Sequence, residues 1–198
     1  MVAIRAERLA SLSADSNGNW PDELLFLLER HPRAAWPSAR SATAAFWLDV
    51  HERLRRDAAG LDTAGDDYRR GRSSPVELAV IAAPRLRGLV AAMHGHHQIE
   101  DFEYFPEFRR EEPRLARGFD RLEREHTSLN RNVEAALAAL AELRAAAELA
   151  AEPAAAAALK LAAQRYVDAA AALTVDLLRH LHDEENLVVP LLIERGAY

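Results

Sequence analysis

The sequence predicts an all-α protein, an up-down-up-down antiparallel four-helix bundle with a short extra helix near its N-terminus. Three observations carry that prediction. Apolar residues recur at spacings of three and four along four long stretches; alanine, leucine, arginine and glutamate, all strong helix formers, fill much of the 198-residue chain; and short segments marked by proline and glycine join the stretches. No stretch alternates with the period of a strand.

Taken in order, residues 1–20 read as irregular and run into the turn formers Ser16-Asn17-Gly18-Asn19-Trp20-Pro21. A short helix is expected at about 22–31, with Pro21 suited to its first turn. Pro32 and Pro37 then interrupt the chain, which divides it into an N-terminal arm (residues 1–37) and the bundle (38–198). The first long helix is expected from Ser38 to Leu61, with Ala44, Trp47, Leu48, His51, Leu54 and Ala58 facing inward. Asp62 to Ser74, holding Gly65, Asp66-Asp67 and Gly71, reads as a polar loop. Helix resumes at Ser74-Pro75, with a kink or restart expected at Pro84. The second stripe is Leu86, Leu89, Met93, His96, Glu100 and Tyr104, ending near Pro106. Pro113 opens a third helix with the stripe Leu115, Phe119, Leu122, His126, Leu129, Val133, Leu137 and Leu140. After a pause around Ala147 to Pro153, the fourth presents Leu159, Tyr166, Ala170, Leu173, Leu177, His180 and Glu184, and should end near Pro190. The alanine-rich stretch 135–172 keeps its leucines in helical period, so it reads as tight helix packing.

Composition narrows the chemistry. The chain has no cysteine, which excludes disulfides, thiolate metal sites and Fe–S clusters, so any transition metal must be held by histidine and carboxylate. A net charge of −6 without a long basic cluster argues against nucleic acid as a partner. No apolar run approaches the roughly 20 residues that span a bilayer. The segment Met1 to Leu12, with Arg5, Glu7 and Arg8, lacks the apolar core of a secretory signal, so a cytoplasmic location is expected.

The strongest chemical signal is an internal echo. Residues 96–106 read His-His-Gln-Ile-Glu-Asp-Phe-Glu-Tyr-Phe-Pro and residues 180–190 read His-Leu-His-Asp-Glu-Glu-Asn-Leu-Val-Val-Pro. Each has a histidine, a glutamate four residues on, an acidic residue after it, and a proline six residues beyond the glutamate. Four residues of helix bring the two side chains within about 40° of one another on one face. Taken alone, an inward histidine such as His51 or His126 is more often satisfied by its neighbours than by a metal, and one His-x-x-x-Glu pair is often a surface contact. Two matching pairs on otherwise apolar stripes, with one inward histidine on each remaining long helix, reverse that balance, because buried charge is costly unless it is paired or metal-bound. Counted from the turn between the second and third helices at about 1.5 Å per residue, His126 faces the His96 end of the His96–Glu100 pair, and His126 and His180, about 21 and 27 residues from the next break, agree to within the placement of the helix ends. His97 is the alternative to His96, since 93, 97, 100 and 104 also form a stripe; the match between the two echoes favours His96. His94 and His182 point elsewhere, His31 reads as a surface residue, Asp101 and Glu185 as partners of the ligands or solvated groups, and Trp47, Phe102 and Phe105 as packing.

The order His51, His96-x-x-x-Glu100, His126, His180-x-x-x-Glu184 resembles the hemerythrin-like family of di-iron proteins over about residues 40–192. The resemblance implies two iron ions joined by an oxo or hydroxo bridge, with Glu100 and Glu184 bridging, His51 and His96 on one iron, and His126 and His180 on the other. Zinc or manganese would accept the same donors. Oxygen-carrying hemerythrins have a second histidine four residues along the third helix, where this chain has Asn130. That tally leaves about one open position on each metal unless Tyr104, His97 or water fills it. A small ligand (oxygen, nitric oxide or peroxide) and a separate electron donor are the implied partners. Whether the chain is a carrier, a sensor or an enzyme stays open. A ferritin-like iron-oxidising bundle would place glutamate first at a spacing of three, and a metal-free interaction scaffold would leave six polar residues unexplained in the core.

Overall fold

A computed structural model describes residues 20–39 and 41–196, and all regular structure in them is helical. The expected irregular arm at 1–19 lies outside the described residues. The short helix expected at 22–31 is instead a 3-10 turn, Asp22–Leu24, followed by α1, Phe26–Arg30. A second 3-10 turn, Arg33–Ala35, leads into the single turn of α2, Trp36–Ala39.

The first long helix, α3, spans Ala42–Arg69 and starts where Ser41 Oγ accepts the Ala44 N–H. It runs well past Leu61, through most of the segment expected to be loop. Leu61, Ala64 and Gly65 stay buried there, and a Cβ on Gly65 would meet Val167 Cγ1 at 3.2 Å. This glycine marks a close approach of two helices, not a break. The true connection is the short stretch through Gly71, which takes a positive φ of 69°.

The second long helix, α4 (Pro75–Ile99), opens with a reciprocal capping box: Ser74 Oγ accepts the Glu77 N–H and the Glu77 carboxylate accepts the Ser74 N–H. It continues through Pro84 without a restart. Pro84 and Val80 are both exposed, so the gap that proline leaves in the backbone hydrogen bonds lies on the outer face of the helix. A π-helical turn, Glu100–Tyr104, follows and runs directly into α5, Phe105–Glu111. Helix thus persists past Pro106, where it was expected to end. After the 3-10 turn Pro113–Leu115 comes α6, Ala116–Glu148. The last helix, α7 (Ala156–Gly196), continues through a buried Pro190, its expected end.

Helix α3 packs on α4 and α7, α4 on α6, and α6 on α7, consistent with a helical bundle. The third stripe holds except that Leu137 is partly exposed and Ala136 takes the inward place. The core falls into two apolar clusters. One runs from Ala64 and Leu78 to Leu54, Met93, Leu129 and Leu181. The other gathers Trp47, Phe105, Phe119, Leu122 and Leu187 with Trp20, Leu24, Leu28 and Trp36 from the N-terminal segment. Between them, on all four long helices or their direct continuation, lie His51, His97, Glu100, His126, His180 and Glu184, all buried. A polar layer crosses an otherwise apolar core.

Candidate metal centre

Each helix delivers its donor by register. On α3, His51 lies between Trp47 and Leu54; on α6, His126 lies between Leu122 and Leu129; on α7, His180 and Glu184 lie between Leu177 and Leu187. On the second helix the buried positions are Met93, His97 and Glu100, and then Phe105. The five-residue step from Glu100 to Phe105 is the π turn, in which the Phe105 N–H reaches the Glu100 carbonyl. Tyr104, expected inward, is therefore turned partly outward, and its ring meets Trp47 edge-on at 4.9 Å.

The donors form two groups. His51, His96, Glu100 and Glu184 bring one donor atom each within 4.8 Å of one another; His97, His126 and His180 do the same beside them. Both candidates at the second helix are thus present, one in each group. The two carboxylates span the groups. Glu100 Oε1 lies 2.9 Å from His96 Nε2 and its Oε2 lies 3.5 Å from His126 Nε2. Glu184 Oε1 lies 3.4 Å from His51 Nε2 and its Oε2 lies 3.3 Å from His180 Nε2.

Neighbouring carboxylates orient three of the five imidazoles through Nδ1: Glu185 holds His51 at 3.0 Å, Asp101 holds His126 at 2.8 Å, and Glu125 holds His180 at 3.1 Å. A carboxylate on Nδ1 keeps the proton there and leaves the Nε2 lone pair facing the layer. The Nε2 atoms then meet head-on, His51 with His96 at 3.0 Å and His126 with His180 at 3.1 Å. Lone pairs brought together in this way need a cation between them, either a proton or a metal.

The metal-free electrostatics show the same demand. Burial draws the His180 imidazole down, but the carboxylates of Glu125 and Glu184 beside it overcome that and push its pKa up to about 9. Burial likewise opposes the charge on His51, yet Glu184 and Glu185 raise it. His96, buried and surrounded by other histidines, is held down to about 3, and His97 is pushed well below the usual imidazole range by burial and by His126. Glu100 rises well above the usual carboxylate range through burial and the neighbouring Glu184, whereas the histidines around Glu184 hold it low despite burial. Without metal, protons stand in for cations.

Residual demand is concentrated here. Among the described residues, six buried side-chain atoms lack a hydrogen-bond partner, and four of them are His97 Nε2, Glu100 Oε1 and Oε2, and Glu184 Oε2. Unsatisfied buried polar atoms cost about 1–3 kcal/mol each, so their clustering at convergent donors fits a metal centre. The donor set, nitrogen and oxygen without sulfur, suits iron, manganese or zinc.

A family model for the hemerythrin HHE cation-binding domain matches residues 42–192. The chain belongs to the hemerythrin HHE cation-binding family. Comparison with curated proteins and with solved structures returned no match. The hemerythrin match covers all six residues expected as ligands and also His97.

Several groups around this hemerythrin site differ from the sequence reading. Asn130 is exposed, so the slot on the third helix does not face the layer, and His97 stands beside His126 and His180 instead. Phe102, expected to pack, is 77% exposed. Trp47 packs as expected but also donates its indole N–H to Glu184 Oε1 at 2.7 Å. His31 is half-buried and pairs with Glu194, while His94 is exposed. Glu125 escaped notice because its partner, His180, comes from another helix. His97 carried a signal in its three-and-four spacing to Met93 and Glu100, which the echo with residues 180–190 obscured.

Proposed function

We propose that this chain is a two-iron protein of hemerythrin type, with its four long helices running alternately up and down, that binds or reacts with oxygen, nitric oxide or peroxide. The observation that carries the proposal is the pair of carboxylates: Glu100 turns one oxygen toward His96 and the other toward His126, and Glu184 turns one toward His51 and the other toward His180. His51 and His96 would serve one ion, and His97, His126 and His180 the other. Bound iron would supply reversible electron transfer and a place for a small ligand.

The chain's own residues make the two positions unequal. Three imidazoles converge on one side and two on the other, so an external ligand belongs on the His51/His96 side. The apolar clusters above and below the layer exclude bulk water. Trp47 keeps Glu184 Oε1 in place from the ligand-binding side through its indole N–H. The reading further includes a cytoplasmic chain served by a separate electron donor, with residues 1–37 as an arm added to the bundle. No helix among the described residues is long and apolar enough to cross a membrane.

Elemental analysis after anaerobic ferrous reconstitution should give about two iron ions per chain, and azide followed by its charge-transfer band should saturate at about one per pair. One ion per chain would overturn the two-metal reading. Two azides per pair would remove His97 from the ligand set and restore an open position on each ion.

A further inference from the structure

The segment before α3 lies outside the matched hemerythrin domain, yet Arg33 links it to the metal layer. Arg33, in the 3-10 turn Arg33–Ala35, directs all three guanidinium nitrogens to α7: Nε to Asn186 Oδ1 at 2.8 Å, Nη1 to Glu185 Oε2 at 3.1 Å and Nη2 to the His182 carbonyl at 2.9 Å. Glu185 is buried, and its other oxygen accepts from His51 Nδ1 at 3.0 Å and pairs with Arg55 at 2.8 Å. A chain of contacts therefore runs Arg33–Glu185–His51 into the two-histidine group. Arg33 and Arg55 also line, with Glu185, a cavity of about 960 Å³ on that side of the bundle, so the arginines meet solvent while the carboxylate behind them faces the imidazole.

Arg33 belongs to none of the four long helices. It is not needed to orient His51, which Glu185 does. Its distinct effect is on charge. A carboxylate shared with two guanidiniums draws less on the Nδ1 proton than one shared with a single guanidinium, so His51 stays nearer to neutral imidazole and donates less to a bound cation.

We infer that Arg33 is a positioning residue through which the N-terminal segment sets the electron donation of His51, and so the balance between ferrous and ferric iron at the His51/His96 position. The inference rests on the two-iron reading above. Removing the arginine charge strengthens His51 as a donor and favours ferric iron. Removing the Glu185 charge while keeping an oxygen to accept from His51 does the opposite.

The experiment compares midpoint potentials of the iron-loaded full chain in Arg33→Gln, Arg33→Lys and Glu185→Gln, with iron content measured in each. Partners bonded directly to a metal ligand, as Glu185 is, change affinity by about 10–100-fold, and Arg33, one step further out, takes the low end of that range. The ratio of ferric to ferrous affinity should rise about tenfold in Arg33→Gln, fall about tenfold in Glu185→Gln, and stay near wild type in Arg33→Lys. Loosening of the segment alone would not reverse sign between two variants. Arg30→Ala, which removes one of the segment's two contacts with Glu194 (His31 makes the other) without touching Glu185, supplies that comparison and should leave the potential unmoved. Potentials that move in the same direction in Arg33→Gln and Glu185→Gln, or that do not move while two irons remain, overturn the inference and leave the two-iron reading intact. A wild-type chain without an iron pair overturns the reading itself. Should Arg33→Gln fold poorly, Glu185→Gln still tests the link on which the inference depends, because a potential that falls or stands still there overturns it.

Discussion

Replacing His97 with alanine separates a metal ligand from a packed ring. His97 is 5% exposed, stacks on His126 with ring centres 3.9 Å apart, meets His180 edge-on at 5.4 Å, and has an Nε2 without a hydrogen-bond partner. In the metal-free chain two effects of the substitution oppose each other. Loss of the ring leaves a cavity, which for large-to-small core changes costs about 2–5 kcal/mol. Loss of an unsatisfied buried nitrogen returns about 1–3 kcal/mol. The net loss should be about 1–2 kcal/mol, a fall of about 2–8 °C in Tm for a chain of this size. With His97 as a ligand, the loaded chain loses a donor as well. Outer partners of ligands are worth about 10–100-fold in affinity, so removal of a direct donor should weaken the second ion by at least about 100-fold, or about 2.7 kcal/mol. Thermal melts with and without ferrous iron, beside chelator competition, read the two effects separately. Stabilisation by metal should shrink far more than the metal-free Tm falls. Wild-type affinity for both ions in His97→Ala, with a lowered metal-free Tm, would show that His97 only packs.

Three further outcomes follow from the same geometry. Because Glu100 and Glu184 each face both groups, Glu100→Ala or Glu184→Ala should lose both irons together in elemental analysis; retention of one ion would refute the bridging role. Asn130→His should change neither iron content nor azide stoichiometry, because position 130 is exposed; a fall in azide bound per iron pair would mean that the third helix can present position 130 to the metal. The Glu77 carboxyl is held below its usual pKa of 4.5 by hydrogen bonds from Ser74, so its contribution to stability is present above 4.5 and lost as pH falls through its lowered value. Over that acid range Glu77→Gln should lose less stability than the wild type, as followed by circular dichroism, and equal losses would place the capping box outside the acid response.

Much of this protein can be read from the order of its residues. Helical period is a local property, so the stripes through Trp47, Leu89, Phe119 and Leu173 identify helices and their inward faces without knowledge of the partners. The two His-x-x-x-Glu pairs are local in the same sense, since one helix turn brings both side chains together. A lone His51 or His126 gained meaning only because those two pairs stood beside it.

What failed locally failed where distant contacts outweigh propensity. Gly65 with Asp66-Asp67 looks like a loop, but Leu61 and Ala64 bury against neighbouring helices and Gly65 admits Val167, so α3 continues. Pro190 looks like an end, but the segment from Trp20 to Trp36 covers that part of α7 and keeps it helical and buried. The π turn at Glu100–Tyr104 adds one residue to a turn, an offset invisible to a fixed period, and it moves Phe105 inward in place of Tyr104. The sequence alone determined that histidines and glutamates lie on inward helix faces, because that depends only on spacing along each helix. Only the tertiary structure decided that His96 and His97 lie in separate groups, that Glu125, Asp101 and Glu185 each hold an imidazole, and that Arg33 reaches Glu185. Those pairings join residues from different helices, and their partners are chosen by how the helices pack.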